Sequence, residues 1–200
     1  DEGVKHWDNR KEACVALIKD HKPTLIGFQE AQYESQWLYL KEQLADNYEG
    51  YGVNRQTGKE SGSGECMGIM YDKRVVKKID GGTFWLSETP KKPSMGWDAA
   101  CYRTATWALM KDKRTGKRFY FVNTHLDHAG AEARKNGLKL IVERISEINP
   151  EGYPMVLTGD FNMKPSAPEL KDLDACMKSA RKVALATDSH QTFNGWGKAK

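Results

Sequence analysis

No apolar run in this chain approaches the roughly 18 residues a helix needs to cross a bilayer, so no membrane span is expected. The four cysteines, Cys14, Cys66, Cys101 and Cys176, are widely spaced and form no C-x-x-C pair. That spacing excludes the common zinc frameworks and a disulfide-dense scaffold; one bridge stays open, and each cysteine is expected to be a small buried residue. G-x-S-x-G, a P-loop and a cysteine beside a histidine are also missing, which leaves serine or cysteine nucleophilic catalysis without support. A strong excess of one charge is lacking too: 31 Lys+Arg against 27 Asp+Glu gives a formal net charge of +4. The basic residues are scattered, with short clusters at Lys77-Lys78, Lys91-Lys92 and Lys111 to Arg118 that read as solvated surface. Nucleic-acid binders concentrate more basic charge, so a small-molecule partner is favoured over DNA or RNA. The chain opens on Asp1-Glu2-Gly3 without a signal peptide or an initiator methionine. The compartment stays open, with a mature secreted or periplasmic form favoured over a cytoplasmic one, and a monomer is expected.

What is present fits one α/β domain spanning residues 1–200. Asn9-x-x-Glu12 reads as a capping box for a helix with the apolar stripe Ala13, Cys14, Leu17 and Ile18, ending near His21 before Pro23. Thr24 to Phe28 is too short for a helix and reads as a buried strand that delivers Gln29 and Glu30 at its end. Trp37, Leu40 and Leu44 share a helical face, residues 50–64 are rich in Gly and Ser, and Met67 to Tyr71 reads as a strand, with another around Val75 to Ile79. Trp85 to Tyr102 is a long loop, and Thr104 to Met110 with Phe119 to Thr124 predicts a hairpin. Leu138, Ile141, Ile145 and Ile148 trace a helix, Pro154 to Thr158 another strand, and Leu170, Leu173 and Met177 a last helix.

Three polar clusters follow strands: Gln29-Glu30, Asn123-Thr124-His125 with Asp127-His128, and Asp160 with Asn162. Strand ends are where such domains place ligands. A carboxylate after a buried strand wants a cation or donors, and Mg²⁺ takes one or two carboxylates while keeping its waters; Glu30 and Asp160 are candidates, although a salt bridge or cap at Glu30 and an Asx turn at Asp160 or Asn162 would suit the same residues. His125 has Asp127 and His128 close by in sequence, which favours acid–base or phosphate-binding chemistry. A transition-metal site is disfavoured, because His125 and His128 lack the i, i+4 spacing of a zincin and no third strong ligand is local. Carboxylates, an amide and a histidine without a nucleophile suit direct attack of water on phosphorus.

Taken in order, Leu25-Ile26-Gly27-Phe28-Gln29-Glu30, Asn123-Thr124-His125-Leu126-Asp127-His128 and Thr158-Gly159-Asp160-Phe161-Asn162 resemble the endonuclease/exonuclease/phosphatase superfamily. Gly82 to Ser87, and Trp97-Asp98-Ala99-Ala100-Cys101 with Arg103, are similar to its bacterial secreted-type hydrolases. The resemblance implies a four-layer α/β/β/α sandwich, pancreatic-deoxyribonuclease-like, of two mixed sheets with outer helices, and a Mg²⁺-dependent phosphoesterase, with Mn²⁺ as the alternative ion. It implies that Glu30 binds metal, that Asp160 binds metal and positions or deprotonates the attacking water, and that Asn162 orients the phosphate or Asp160. His125 would hydrogen-bond phosphoryl oxygens or assist the leaving group. Arg103 would contact phosphate, Glu65 would lie near the pocket, and Asp127 and His128 would line the substrate side. A nuclease, or a non-catalytic phosphate-binding module, is the alternative. The superfamily also opens on a strand with an asparagine near the metal and closes on an aspartate and a Ser-Asp-His segment. Neither has a counterpart here: His190 does not match, and the stretch Thr192-Phe193-Asn194-Gly195-Trp196-Gly197 precedes Lys200. The fold is therefore expected to be incomplete at both termini in these 200 residues, as part of a longer chain.

Overall fold

A computed structural model describes residues 3–188, 190, 192 and 193; residues 194–197 of the closing stretch lie outside them. Helix α1 (Lys11–His21) buries Val15 and half-buries Cys14 and Ile18, whereas Leu17 is 60% exposed. The inward stripe is therefore offset by one position from the expected Ala13–Leu17 line, on the i, i+3, i+4, i+7 positions 11, 14, 15 and 18. No side chain caps this helix; the Asn9 amide donates instead to the Gly3 carbonyl (2.8 Å), so the expected capping box is not formed.

Strand β1 (Leu25–Gly27) leads to β2 (Ala31–Gln32), a π-helical turn over Tyr33–Trp37, α2 (Leu38–Gln43), β3 (Tyr48–Tyr51), β4 (Glu65–Cys66) and β5 (Ile69–Asp72). Then come β6 (Val76–Trp85), β7 (Thr104–Asp112), β8 (Arg118–His125), α3 (Ala131–Ile148), β9 (Met155–Asp160) and the short helices α4 (Lys171–Cys176) and α5 (Ala180–Val183). One sheet has the order β1-β5-β3, all antiparallel; a second runs β6-β7-β8-β9, with only β8 and β9 parallel; and β2 pairs with β4 in a two-stranded antiparallel ribbon. The parallel step requires a crossover, and α3 supplies it. Strand β3 was not anticipated, since Tyr48-Glu49-Gly50-Tyr51 carries a mid-strand glycine. The expected last helix, on Leu170, Leu173 and Met177, forms as a short helical turn at Pro168–Leu170 followed by α4, which Met177 caps, and α5 lies beyond it.

The layers follow from which face each side chain takes. Along β8, Phe119 and Phe121 pack with Leu25, Ile69, Tyr71, Ala108 and Met110 between the two sheets, while Val122 packs with Leu138, Ile141 and Ile145 of α3. On the far side of the first sheet, Val15, Trp37, Leu40 and Leu44 form a core with Met70. Helices, sheet, sheet and helix thus stack in four layers, a mixed α/β architecture of the deoxyribonuclease type. Among the cysteines, Cys66 alone is fully buried and Cys176 is exposed, so the expectation of four buried thiols holds only in part. No helix of the described residues is long and apolar enough to cross a membrane.

Candidate active site

The carboxyl ends of β1, β8 and β9 meet at one end of the sandwich, and Asn123 ties them together. Its amide donates to the carbonyls of Phe28 (2.8 Å) and Gly68 (3.1 Å), while its oxygen accepts from Gln29 Nε2 (2.6 Å) and Thr158 Oγ1 (3.1 Å). Asn123 is wholly buried, and these four bonds use its full capacity. The stitch needs close contact between sheets. A Cβ on Gly27 would lie 2.4 Å from Asn123 Oδ1 and 2.5 Å from Thr158 Oγ1, so only glycine fits. Gly159 is held likewise, with its would-be Cβ 2.4 Å from the Thr124 carbonyl oxygen.

Beyond this stitch, three expected site residues converge. Asp160 Oδ1 accepts from the Asn162 backbone N–H (2.8 Å), and Asn162 Nδ2 lies 3.0 Å from His125 Nε2 and donates to the Leu126 carbonyl (2.9 Å). An amide donor facing Nε2 makes that nitrogen the acceptor, which places the imidazole proton on Nδ1. Nδ1 is buried with no hydrogen-bond partner among the described residues. Burial pulls the His125 pKa down to about 4, with Arg103 pushing the same way and Asp160 opposing. His125 is therefore neutral at physiological pH, and its 3.8 Å approach to Asp160 Oδ2 is not an ion pair there.

Glu30 stands at the end of the loop that follows β1. Its side chain is exposed, and no hydrogen bond or ion pair holds it among the described residues. Its backbone is left-handed (φ 58°), as is that of Asn162 (φ 49°); the other non-glycine residues with positive φ are Lys22 and Trp97. Each such residue costs on the order of 1 kcal/mol, so rigid surroundings must hold it there.

Arg103 is buried and ordered from two sides. Its Nε donates to Asp127 Oδ2 (3.2 Å) and its Nη2 to His128 Nδ1 (2.9 Å). Asp127 also accepts from the backbone N–H groups of Ala100, Ala129 and Gly130. Burial pushes the Asp127 carboxyl up, but these donors outweigh it and hold the pKa well below the carboxylate range. With 1% exposure and both oxygens engaged, Asp127 does not line a substrate surface as expected; it orients Arg103 and the turn after β8. His128 remains exposed. Glu65, expected near the pocket as a substrate-binding candidate, turns its carboxylate to Arg55, with Nη1 to Oε2 at 2.6 Å. Arg55 escaped the sequence reading because a single arginine in a Gly/Ser-rich stretch has no local signature. Only the folded chain brings it beside Glu65 and under Trp85, whose indole donates to the Arg55 carbonyl (2.6 Å).

Two donor sets could hold a cation. Cys101, Asp127 and His128 bring one ligand atom each to within 4.8 Å of one another. The lone pairs of Asp127 are already taken, however, and burial raises the Cys101 pKa, which keeps the thiol protonated. A soft, protonated thiol beside a guanidinium does not suit a hard cation. Glu30 and Asp160 fit better: the first is exposed and without a partner among the described residues, the second has a side chain 52% exposed, and such carboxylates suit an ion that keeps several waters.

Comparison with known proteins places this geometry among relatives. The profile of the Endonuclease/Exonuclease/phosphatase family matches residues 2–199. An endonuclease/exonuclease/phosphatase from Bacteroides vulgatus is 38% identical and superposes with a TM-score of 0.90, over 100% of this chain and 76% of that one. The mannosyl-6-phosphatase of Bacteroides thetaiotaomicron is 35% identical, with a TM-score of 0.79 over 84% of this chain and 62% of that one. An uncharacterized protein of Acanthamoeba polyphaga mimivirus is 27% identical over 164 residues, 80% of this chain. This chain spans about 60% of the length of that viral relative.

Proposed function

Because the chain belongs to the endonuclease/exonuclease/phosphatase family, we propose that it is a divalent-cation-dependent phosphoesterase in which water attacks phosphorus directly. The observation that carries this reading is the set formed by Asp160, Asn162 and His125, rigid and open to solvent on the Asp160 side. Residues 1–200 are read as one domain of a monomeric protein, and a secreted or periplasmic location is favoured.

Asp160 Oδ1 is fixed by the Asn162 N–H, which leaves Oδ2 to take a proton from water. The water oxygen bonds to phosphorus as the ester P–O bond breaks, and the departing oxygen takes a proton from solvent. His125, neutral with its proton on Nδ1, acts as a hydrogen-bond donor to a phosphoryl oxygen and not as a general acid. The Arg103 guanidinium adds a fixed positive charge, held against movement by Asp127 and His128. Members of the family generally use divalent metals, and Glu30 with Asp160 would hold Mg²⁺, or Mn²⁺ in its place. When bound, the ion supplies Lewis-acid stabilisation of charge on the phosphoryl oxygens.

A small phosphorylated molecule is favoured over nucleic acid. The basic residues behind the net charge of +4 are scattered along the sequence in short clusters, and the similarity to a mannosyl-6-phosphatase supports a sugar phosphate. The test is Mg²⁺-dependent release of nitrophenol from activated aryl phosphates, with EDTA and Asp160→Ala as controls. Turnover abolished by both is the expected result. Folded protein that binds phosphate without turnover would instead make it a binding module.

A further inference from the structure

We propose that Arg55 is a second phosphate-holding arginine, which with Arg103 fits this site to a terminal phosphate monoester and not to a diester. The proposal rests on the phosphoesterase reading above and names its substrate class.

Arg55 is an unusual residue to bury. It is 8% exposed, yet among the described residues its side chain's one partner is Glu65, and the contact between Nη1 and Oε2 is short but misaligned. Neither of these atoms finds a well-directed hydrogen bond, and Arg55 Nε has none. A buried guanidinium with unpaired N–H groups is costly, and an ion pair this poorly satisfied gains little for the fold. Its position is nevertheless tightly fixed. The Arg55 N–H donates to the Glu65 carbonyl (2.9 Å) and its own carbonyl receives Trp85 Nε1 (2.6 Å). The adjacent Asn54, wholly buried, gathers the carbonyls of Ser61, Gly62 and Ser63 and so holds the loop in place.

This arginine belongs to the same end of the molecule as the catalytic set. Glu65 pairs with Gln32 across the short β2–β4 ribbon, two residues after Glu30, and Trp85 ends β6 where β7 begins beside Arg103. The charge of Arg55 is felt at both His125 and Cys101, each of which also feels Arg103. Two buried guanidinium groups and a buried imidazole N–H without a partner are thus gathered around one place. The ligand that satisfies them is an anion with several acceptor oxygens.

The count of charges separates the ester classes. A monoester carries close to two negative charges near neutral pH, and three non-bridging oxygens, whereas a diester carries one charge and two such oxygens. Two guanidinium groups, with a buried imidazole N–H beside them, match the former. Arg55, Arg103 and His125 are also buried, at 8%, 4% and 3% exposure, so their polar groups face little bulk water that could compete with a bound anion.

The experiment titrates the full-length protein calorimetrically with inorganic phosphate and with dimethyl phosphate, in Mg²⁺, and needs no turnover. Arg55→Gln alone would leave Glu65 unpaired and risks misfolding, so Arg55→Gln/Glu65→Gln, which removes both charges, is compared with wild type and checked by its melting curve. Wild type should prefer phosphate over dimethyl phosphate, and the double variant should lose at least about tenfold in phosphate affinity while changing little toward the diester. In parallel, kcat/KM for nitrophenyl phosphate should fall about 100-fold or more in the double variant, and that for bis(nitrophenyl) phosphate by much less. A wild type that prefers the diester, or a double variant with unchanged phosphate affinity, or equal losses on both ligands, overturns the proposal. Absence of turnover with phosphate binding and preference intact would remove the enzymatic reading and leave Arg55 as the phosphate holder.

Discussion

At the scale of single residues, the buried imidazole makes a pH prediction. His125 has a folded pKa of about 4 against an ordinary 6.5, so between these values the unfolded chain binds a proton that the native state refuses. Its contribution to stability is complete above pH 6.5 and is lost as pH falls toward 4. Melting temperatures taken in EDTA across that window should drop more steeply for wild type than for His125→Gln. Asp160 gives a contrasting result: being half exposed, its replacement by Asn should leave the melting temperature unchanged while lowering kcat about 1,000-fold, as steady-state kinetics would show. Glu30, His125, Asp160 and Asn162 were legible because each stands at or just past a strand end next to another polar residue. Asp127 and Glu65 stood out in the sequence, but not the arginine each faces, since sequence does not show that Asp127 accepts from Arg103 or that Glu65 is turned to Arg55. Arg55 itself was not legible at all.

Among elements, the close approach of β1 to β8 and β9 is the most exacting. Gly27→Ala would force a methyl against Asn123 and Thr158, and we expect a loss of about 1–3 kcal/mol, measured by urea denaturation, with the Gln29–Asn123 bond broken. Activity should fall with it, because Glu30 lies on the segment displaced. Elements with strong periodicity were read correctly: Leu138, Ile141 and Ile145 are buried on α3, and the β7–β8 hairpin turns where the polar run Lys111 to Arg118 places it. The misses came where local chemistry was outweighed by packing. Asn9 could cap a helix, yet Trp7 anchors that turn to Ser35 by an indole hydrogen bond (3.0 Å) and its amide is spent on Gly3. Strand β6 runs on to Trp85 through Gly81 and Gly82, whose missing side chains admit Tyr51 and Trp107, a reason visible only in three dimensions.

For the whole molecule, the sheet edges matter most. The β6 edge is guarded by Lys77, Lys78 and a bulge before Asp80, which discourages pairing with another chain. Strand β9 lacks such protection: it pairs only with β8 among the described residues, is uncharged from Met155 to Gly159, and leaves Val156 48% exposed. On heating, copies should pair first through the β9 edge, and Val156→Lys should raise the temperature at which light scattering sets in. The left-handed backbones of Glu30 and Asn162 bear on the molecule in another way. Glycine at either position would relax the main chain and remove, in a single step, the side chain proposed above to hold the cation or to complete the set with Asp160 and His125. Laboratory evolution of this protein toward heat resistance alone would therefore enrich glycine at these two positions first. The more robust its descendants became, the less chemistry they would retain.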